Sequence, residues 1–366
     1  MKINKNLIII EVPDTLKALQ NLAKQVRKSI NIPVIALTGS FGKTSQREMI
    51  FSVLKQEFKV LTTKGNLNNH IGMPLTLVNY KDEEVVLLEL GTNHMGEIAF
   101  LRDICRPTIT LVTNIGTAHI GNFKTIKNTF KEKMSISKNS KYFLKNVDDN
   151  LIKKANVKAN IIEYGVKRRE ITYVKIGNIS TYTYNFRGNK YKVSINSDID
   201  YLVNYSVCAF KIGLLLQMNI KNIIKGISLF KPAPSRMERI TRGKHIVIND
   251  CYNASYETMI SGLDYFEKQP VKDKIVILGD ILELGLQSSK IHMDIAKYIA
   301  KKKFNFDEIH LVGPEMKCVY TYLNKKGFNV RYYKKVEAVS KAVLRGKSAY
   351  LKASHGIGLY KLLEKD

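Results

Sequence analysis

The chain has 366 residues, of which 45% are hydrophobic and 25% charged, a composition typical of a globular protein with about two or three domains. It excludes intrinsic disorder, collagen and a coiled-coil rod. The unusual feature is the charge, because 59 Lys and Arg against 32 Asp and Glu give a net charge of +27. Such a balance is typical of proteins that bind nucleic acids or membrane surfaces. The lysines, however, are scattered along the chain, which favours a solvated surface.

Cysteine usage and hydropathy indicate where the protein works. The four cysteines are far apart, so we predict neither a zinc site nor a disulfide framework and expect a reducing cytoplasm. No apolar run approaches the roughly 18 residues of a membrane span. The opening sequence, MKINKNLIIIEVPD, lacks the long apolar region and cleavage site of a signal peptide.

Short apolar runs alternate with helix-like stretches in the first part of the chain. Strands are predicted at Pro33–Thr38, Lys59–Thr63, Val85–Leu90 and Ile109–Asn114. Helices are predicted at Thr44–Lys55 and Gly96–Cys105. The alternation is typical of βαβ units and predicts a mostly parallel sheet, with ligands at the carboxyl ends of its strands.

The segment Thr172–Ile195 has a different pattern, in which polar residues alternate with apolar or aromatic ones. With turn signals at Gly177–Asn178 and Gly188–Asn189, it predicts an antiparallel meander beside the first sheet. Helix-like segments follow at Tyr201–Gln217 and Lys221–Phe230.

Two prolines indicate a linker at Lys231–Ser235, because proline interrupts helices and central strands. The alternation then resumes, with predicted strands at His245–Asp250, Ile275–Leu278, Glu308–Val312, Asn329–Tyr333 and Ala349–Leu351. We therefore predict an α/β protein. A central domain with a mostly parallel sheet and an antiparallel meander precedes a smaller, Rossmann-like α/β domain. A cleft between two such domains suits a reaction with two substrates.

A glycine-rich loop follows the first predicted strand and opens a predicted helix. Its backbone N–H groups can surround phosphate oxygens, while Lys43 reaches the β- and γ-phosphates and Thr44 holds Mg²⁺. Only two residues separate its glycines, whereas the usual P-loop has four. The alternative is a glycine turn with a surface lysine, but the position between strand and helix favours a P-loop. The candidate nucleotide-binding residues of the loop are Gly39, Ser40, Gly42, Lys43, Thr44 and Ser45.

The shortened loop, GxxGKT[ST], resembles that of the Mur ligases and their relatives, the folylpolyglutamate synthases and cyanophycin synthetases. Further segments resemble the MurF-type branch of this family, which adds D-alanyl-D-alanine, in order along the chain: Val12–Leu19, Lys64–Leu75, Glu89–Ile98, Asn114–His119, Asp250–Ala254, Leu278–Gly285 and Lys352–His355. The resemblance covers essentially the whole chain. It implies a ligase dependent on ATP and Mg²⁺ that forms an acyl phosphate from a carboxylate, which an amine then attacks.

The resemblance also implies a domain organisation and a set of substrates. We expect a lead-in segment at 1–32, the remnant of a domain that binds a uridine-diphosphate sugar, then an ATP-binding domain at 33–235 and a C-terminal ligase domain at 236–366. The acceptor is a cell-wall peptide precursor or, alternatively, another peptide precursor, a poly-amino acid or the seco-acid of a tetrapyrrole coenzyme. The implied second substrate is an amino acid or dipeptide, and a monomer or weak dimer is expected. A remote alternative is a basic NTPase that binds nucleic acid, but clustered Arg and base-stacking aromatic residues are not evident.

Three residues are candidates for metal binding besides Thr44. Glu89 ends an apolar strand, where an unpaired carboxylate is costly, so we predict a Mg²⁺ ligand, with a structural ion pair as the alternative. The resemblance makes His119 a ligand of a second Mg²⁺. It also makes Lys133 the lysine that is carbamylated in Mur ligases, because a carbamate can orient that ion. Lys43, His119 and Lys133 are therefore the predicted catalytic residues.

The segment around Lys133 departs from the family pattern AKxEI. Glu132 stands at the alanine, Ser135 stands at the glutamate, and Lys131 offers a competing register. The alternative interpretation of Lys133 is a solvated helix lysine.

The remaining candidates come from the resemblance alone. On the nucleotide side, it assigns Asn114, Arg236, Asp250 and Asn253, and a hinge arginine on the surface is the alternative for Arg236. On the substrate side, it assigns Asn68, Asn69, His94, Asp280, Glu283, Lys352 and Ser354. The chain departs from the family at Ala353 and His355, where the pattern is KGSR, and at Asp200–Asn204, where a His-Asn pair is usual.

Overall fold

The computed structural model describes residues 9–168, 170–176 and 179–364. The first sheet has six strands: β1 (Val34–Thr38), β2 (Val60–Thr62), β3 (Val85–Glu89), β4 (Ile109–Val112), β5 (Tyr142–Asn146) and β6 (Asn160–Tyr164). They are all parallel and lie in the order β2-β3-β1-β4-β5-β6. Because β1 lies between β3 and β4, the segments that follow these three strands meet at one edge of the sheet.

Nine helices belong to the described residues up to 228: α1 (Thr15–Ser29), α2 (Lys43–Leu54), α3 (Gly72–Val78), α4 (Glu97–Cys105), α5 (Ile120–Phe123), α6 (Ile126–Met134), α7 (Asn150–Lys153), α8 (Asp200–Leu215) and α9 (Ile220–Ser228). Successive side chains of β1 point to opposite faces, and all are buried. Ile35 and Leu37 join one core with α2, α8 and α9, whereas Val34 and Ala36 join another with α1, α3 and α4. The sheet is therefore covered on both faces, as parallel sheets require.

The predicted antiparallel meander is present as β7 (Ile171–Ile176), β8 (Ile179–Phe186) and β9 (Asn189–Ile195). Its turn after β8 falls at Arg187 and Gly188, one residue earlier than predicted. The other predicted turn, Gly177–Asn178, lies outside the described residues. Alternate side chains such as Tyr182 and Val193 are buried in the core shared with α8 and α9.

The C-terminal part contains a second six-stranded sheet, formed by β10 (Glu238–Arg242), β11 (His245–Asp250), β12 (Lys274–Gly279), β13 (Glu308–Val312), β14 (Val330–Tyr333) and β15 (Ser348–Lys352). Its order is β10-β11-β15-β12-β13-β14, and only the β10–β11 pair is antiparallel. The helices of this part are α10 (Tyr256–Glu267), α11 (Ser288–Lys302) and α12 (Met316–Lys325). The predicted α/β class, with a meander and a second α/β unit, is confirmed.

The predicted linker, Lys231–Ser235, lies between α9 and β10 and contains no helix or strand. None of the helices in the described part of the chain has the length and apolar character needed to cross a membrane.

Candidate active site

One cavity of about 1580 Å³ lies where the carboxyl ends of the two large sheets face each other. Its walls come from the segments that follow β1, β3, β4, β5 and β11, and from the end of β15. Most of the predicted site residues line it: Ser40, Gly42, Lys43, Thr44, Ser45, Asn68, Asn69, Glu89, Asn114, His119, Arg236, Asp250, Asn253, Glu283 and Lys352. The predicted residues that do not line it are Gly39, His94, Lys133, Asp280 and Ser354.

The glycines of the loop after β1 are required by close contacts. A Cβ atom on Gly39 would lie 1.9 Å from Thr113 Oγ1, and one on Gly42 would lie 1.7 Å from Tyr205 Oη. Gly42 also has a φ of 74°, in the left-handed region that favours glycine.

Gly42 is also the N-cap residue of α2, whose first N–H groups have no partner within the helix. This arrangement suits an anion at the start of α2.

Asn114 holds this loop in place. Its Oδ1 accepts a hydrogen bond from Phe41 N at 3.0 Å, and its Nδ2 donates to Phe41 O at 2.9 Å. Lys43 Nζ donates to Gly39 O at 2.9 Å, so its ammonium lies over the loop. Burial lowers the pKa of Lys43, and the nearby Glu89 opposes this shift. Asn114 therefore shapes the loop, and Lys43 places a cation at its centre.

Glu89 ends β3 with a side chain that is 2% exposed. Its Oε2 lies 3.3 Å from Arg47 Nη1, and its Oε1 accepts a hydrogen bond from Asn68 Nδ2 at 2.8 Å. Arg47 was not among the predicted site residues, although it lies one helical turn after Lys43, where its side chain faces the sheet. The ion pair expected as the alternative for Glu89 is thus present, and Glu89 still lines the cavity.

Lys133 is completely buried, whereas Lys131 is exposed. The alternative of a solvated helix lysine at position 133 is therefore wrong. Its Nζ lies 5.7 Å from the centroid of the Phe123 ring and forms no hydrogen bond or ion pair with any described residue. Burial lowers the pKa of Lys133 well below its usual value, and the nearby Lys43 adds to this shift. Burial thus shifts the equilibrium of this group toward the neutral amine.

His119 and Glu283 join the two parts of the chain across the cavity. Their backbones both have positive φ values, 57° and 63°, and such strain in non-glycine residues concentrates at functional sites. His119 Nδ1 contacts Glu283 Oε2, and Gly121 N donates to Glu283 O at 3.1 Å. The contact with His119 lowers the pKa of Glu283. A predicted metal ligand and a predicted substrate residue thus form a direct pair.

The C-terminal part contributes Asp250, Lys352, Asn253 and Arg236 to the cavity. Lys352 Nζ lies 2.6 Å from Asp250 Oδ2, so a residue assigned to the nucleotide side and one assigned to the substrate side form one ion pair. Burial raises the pKa of Asp250, and Lys352 opposes this shift. Asn253 is exposed to the cavity. The Arg236 guanidinium lies 3.6 Å from the centroid of the Tyr252 ring, a cation–π contact that holds it at the wall.

Two predicted substrate residues, Asp280 and Ser354, form hydrogen bonds with the backbone around the end of β12. Asp280 Oδ1 accepts a hydrogen bond from Met316 N at 2.9 Å at the start of α12, and Ser354 Oγ accepts one from Leu282 N at 2.9 Å. His292 Nε2 likewise accepts from Ile281 N at 3.1 Å. Ser354 and His292 therefore hold the segment that leads to Glu283, whereas Asp280 holds the start of α12. His94 is exposed outside the cavity wall.

The donor set at the phosphate end of the cavity fits Mg²⁺. Within residues 9–168, 170–176 and 179–364, no three His, Cys, Asp or Glu side chains form a group that could hold a metal alone. Mg²⁺ bound with a nucleotide needs only one or two protein oxygens, because phosphates and waters supply the rest. The Thr44 hydroxyl and the Glu89 carboxylate both line this end of the cavity.

Comparison with known proteins identifies the family. Residues 37–229 match the Mur ligase middle domain, and residues 235–349 match the Mur ligase glutamate ligase domain. The UDP-N-acetylmuramoyl-tripeptide–D-alanyl-D-alanine ligase of Borreliella burgdorferi is 27% identical over 94% of this chain and 78% of its own length. The enzyme of the same name from Buchnera aphidicola subsp. Acyrthosiphon pisum is 30% identical over 97% of this chain and 81% of its own. A crystal structure of MurF from Acinetobacter baumannii, 25% identical, superposes with a TM-score of 0.87 over 99% of this chain and 83% of that one. The chain belongs to the Mur ligase family and is an ATP-dependent ligase.

Proposed function

We propose that this ligase joins D-alanyl-D-alanine, or a similar dipeptide, to the terminal carboxylate of a muramoyl-peptide precursor. The observation that carries the proposal is the single cavity in which the P-loop, Glu89 and His119 of one sheet meet Arg236 and Glu283 of the other part. Relatives that match almost the whole chain bear the name of this reaction. The acyl phosphate would form from the acceptor carboxylate and ATP.

The P-loop prepares the triphosphate for attack. The N–H groups at the start of α2 bind its oxygens. Lys43 Nζ leaves Gly39 O and binds the β- and γ-phosphates instead, because charged oxygens are stronger acceptors than a backbone carbonyl. A carboxylate must approach a polyanion, so neutralising the phosphate charge is the main task of the site. Thr44 and Glu89 would hold Mg²⁺, which supplies further positive charge there. Arg47 and Asn68 fix the orientation of Glu89, and each carboxylate oxygen keeps a lone pair that can bind a metal ion.

Lys133 contributes through its neutral amine. The Nζ lone pair can attack CO₂, so that an N–C bond forms, one C=O π pair moves to oxygen, a proton leaves to solvent and the neutral amine becomes an anionic carbamate. The support for this step is the combination of complete burial, a lowered pKa and the lack of a hydrogen-bonding partner among the described residues. The carbamate and His119 would hold a second Mg²⁺.

Arg236 acts on the leaving group. Its charge contributes to the lowered pKa of Lys43, so the two cations are close enough to interact. When the incoming amine attacks the acyl carbon, the carbon–oxygen bond to phosphate breaks and the phosphate takes the electron pair. Arg236 and Lys43 stabilise that developing charge. The division at 33–235 and 236–366, the cytoplasmic location and the monomeric or weakly dimeric state belong to this proposal.

The experiment is a phosphate-release assay with purified protein, ATP, Mg²⁺, UDP-N-acetylmuramoyl-tripeptide and D-alanyl-D-alanine. Release is expected only when both acceptor and dipeptide are present, and Lys43→Ala should abolish it. Other peptide precursors, poly-amino acids and a tetrapyrrole seco-acid, tested in parallel, identify a different acceptor. Turnover without an amine, or stimulated by DNA or RNA, would contradict the ligase proposal.

A further inference from the structure

A buried carboxylate that the proposed reaction does not use lies next to Lys133. Glu132 is 2% exposed and lies on α6. Its Oε2 accepts a hydrogen bond from Gly96 N at 2.6 Å, and its Oε1 accepts one from Ile98 N at 2.8 Å. The Thr92 hydroxyl lies 3.3 Å from the same Oε1. One side chain thus binds three points of a neighbouring loop.

That segment, residues 91–98 and called the 91–98 loop below, leads from the end of β3 into the first turn of α4 and forms part of the cavity wall. Thr92, Asn93, Met95, Gly96 and Glu97 line the cavity between Glu89 and the side chains of α4. Within the loop, Glu97 Oε2 accepts hydrogen bonds from Asn93 N at 2.7 Å and His94 N at 3.1 Å. Gly96, the N-cap residue of α4 with a φ of 93°, provides no side-chain cap. The carboxylate of Glu132 takes the place of that cap, since an anion at a helix N-terminus satisfies free N–H groups.

The same helix carries Lys133, so α6 connects two parts of the site. Glu132 reaches the 91–98 loop, while Lys133, the next residue, extends toward Phe123 and Lys43. Gly91 N donates to Asn68 O at 2.8 Å, so the loop continues the wall that Asn68 and Asn69 form. Among the described residues, no hydrogen bond joins residues 91–98 to the P-loop at 39–45. Movement of the loop would therefore alter the acceptor end of the cavity and leave the P-loop intact.

We propose that Glu132 is a positioning residue that fixes the 91–98 loop to the helix of Lys133 and thereby shapes the acceptor subsite. The inference rests on the proposed function, and it places the acceptor beside Asn68 and Asn69, which the family resemblance assigns to the substrate side. Glu132 stands where the related motif has alanine, so it is a feature of this chain.

The first test is Glu132→Gln, which preserves shape but removes the charge and turns an N–H group toward Gly96 or Ile98. We expect the KM for UDP-N-acetylmuramoyl-tripeptide to rise about tenfold to a hundredfold, the range for lost hydrogen bonds to a charged group. The KM for ATP should change less than about twofold, because the P-loop is not attached to Glu132. A similar rise in both KM values would overturn the proposal.

Glu57→Gln is the matched control. Glu57 Oε1 also accepts two hydrogen bonds at the start of a helix, from Asn219 N and Asn222 Nδ2, each at 2.8 Å. Glu57 does not line the cavity. We expect both KM values to stay at wild-type level in this variant. If Glu57→Gln raised the acceptor KM as much as Glu132→Gln, the effect would be one of general stability and the proposal would fail.

Hydrogen exchange gives a readout that does not depend on turnover. The amide protons of Gly96 and Ile98 should exchange slowly in the wild-type protein and markedly faster in Glu132→Gln, with the amides of α2 unchanged. Equal exchange in the two proteins would refute the positioning role. If the wild-type protein released no phosphate with the acceptor, the proposed function would fail, and the exchange result would still decide whether Glu132 holds the loop.

Discussion

Asp250 and Lys352 are register partners at the ends of the neighbouring parallel strands β11 and β15, and Lys352 Nζ lies 2.6 Å from Asp250 Oδ2. Both side chains are buried at the edge of the cavity. Tyr350 Oη donates to the same oxygen at 3.3 Å, and Met237 N donates to Oδ1 at 3.1 Å. The Asp250 carboxylate therefore binds residues of β15 and Met237 of the segment after the linker. These bonds fix this part of the cavity wall to the second sheet.

We expect Lys352→Met to destabilise the fold by about 3–5 kcal/mol, because it leaves Asp250 buried without its cation. Burial already raises the pKa of Asp250, and the loss of Lys352 raises it further. The folded state of the variant then holds a proton that the unfolded state releases, so its stability falls as pH rises through the folded pKa. Urea unfolding should show a smaller deficit at acidic than at neutral pH.

Lys361→Met is the control for this pair, since Lys361 faces Glu337 at 3.8 Å with both side chains largely exposed. Such pairs contribute little, so the variant should unfold near the wild-type urea concentration. A deficit of Lys352→Met that is no larger than that of the control would contradict a structural role for the buried pair.

Much of this site could be predicted from the sequence, because its main signals are local. Strands β1, β3 and β4 are apolar runs, and the P-loop follows the first of them, so their common edge could be inferred from the parallel topology. Strand β10, with the sequence ERITR, was not predicted, because an edge strand with mostly solvated side chains has no apolar signature. Strands β5 and β6 were missed for a similar reason, since each has only part of its side chains buried.

Partnerships across the fold could not be predicted, because they join residues that are distant in sequence. The pairing of His119 with Glu283 depends on how the two α/β units meet. The roles of Arg47 and Glu132 depend on which way a helix faces the sheet, which a charged residue in a short helix does not reveal. The burial of Lys133 and the exposure of Lys131 likewise depend on how α6 packs.

Gly42→Ala should abolish nucleotide binding and destabilise the fold. The left-handed backbone at Gly42 disfavours alanine by about 1–2 kcal/mol, and the new methyl group would overlap Tyr205 Oη.

Gly243→Ala separates these effects, because Gly243 has a φ of 60° but an added Cβ there would meet no described atom within 4 Å. Calorimetry with ATP and thermal unfolding should show the larger loss for Gly42→Ala, and Tyr205→Phe should restore part of it. Equal losses in the two alanine variants would exclude the contact with Tyr205 as a cause.

Lys133→Met should make the protein more stable and inactive. In bicarbonate-free buffer, the buried amine has no hydrogen-bonding partner among the described residues, a deficit of about 1–3 kcal/mol that an apolar side chain avoids. The unfolded chain binds a proton at this lysine more tightly than the folded chain, because burial lowers its folded pKa. The wild-type protein should therefore gain stability as pH rises toward the unfolded pKa, and Lys133→Met should lack this gain. Lys131→Met, at an exposed position, should change neither stability nor phosphate release.

Glu257→Gln should loosen the contact between the two parts of the chain. Glu257, on α10, accepts hydrogen bonds from Thr117 N at 2.8 Å and Thr117 Oγ1 at 2.9 Å, and Thr117 lies two residues before His119. Removing the charge weakens both bonds, so the loop that carries His119 should move more freely and ligation should slow about tenfold or more. Hydrogen exchange at the Thr117 amide should accelerate in parallel with the loss of activity.

Gln287→Ala removes a different contact across the same boundary, from Gln287 Nε2 to Lys124 O at 2.8 Å, and should leave the Thr117 amide protected. Unchanged exchange at Thr117 in Glu257→Gln would show that the loop is held by its own strand and not by the second α/β unit.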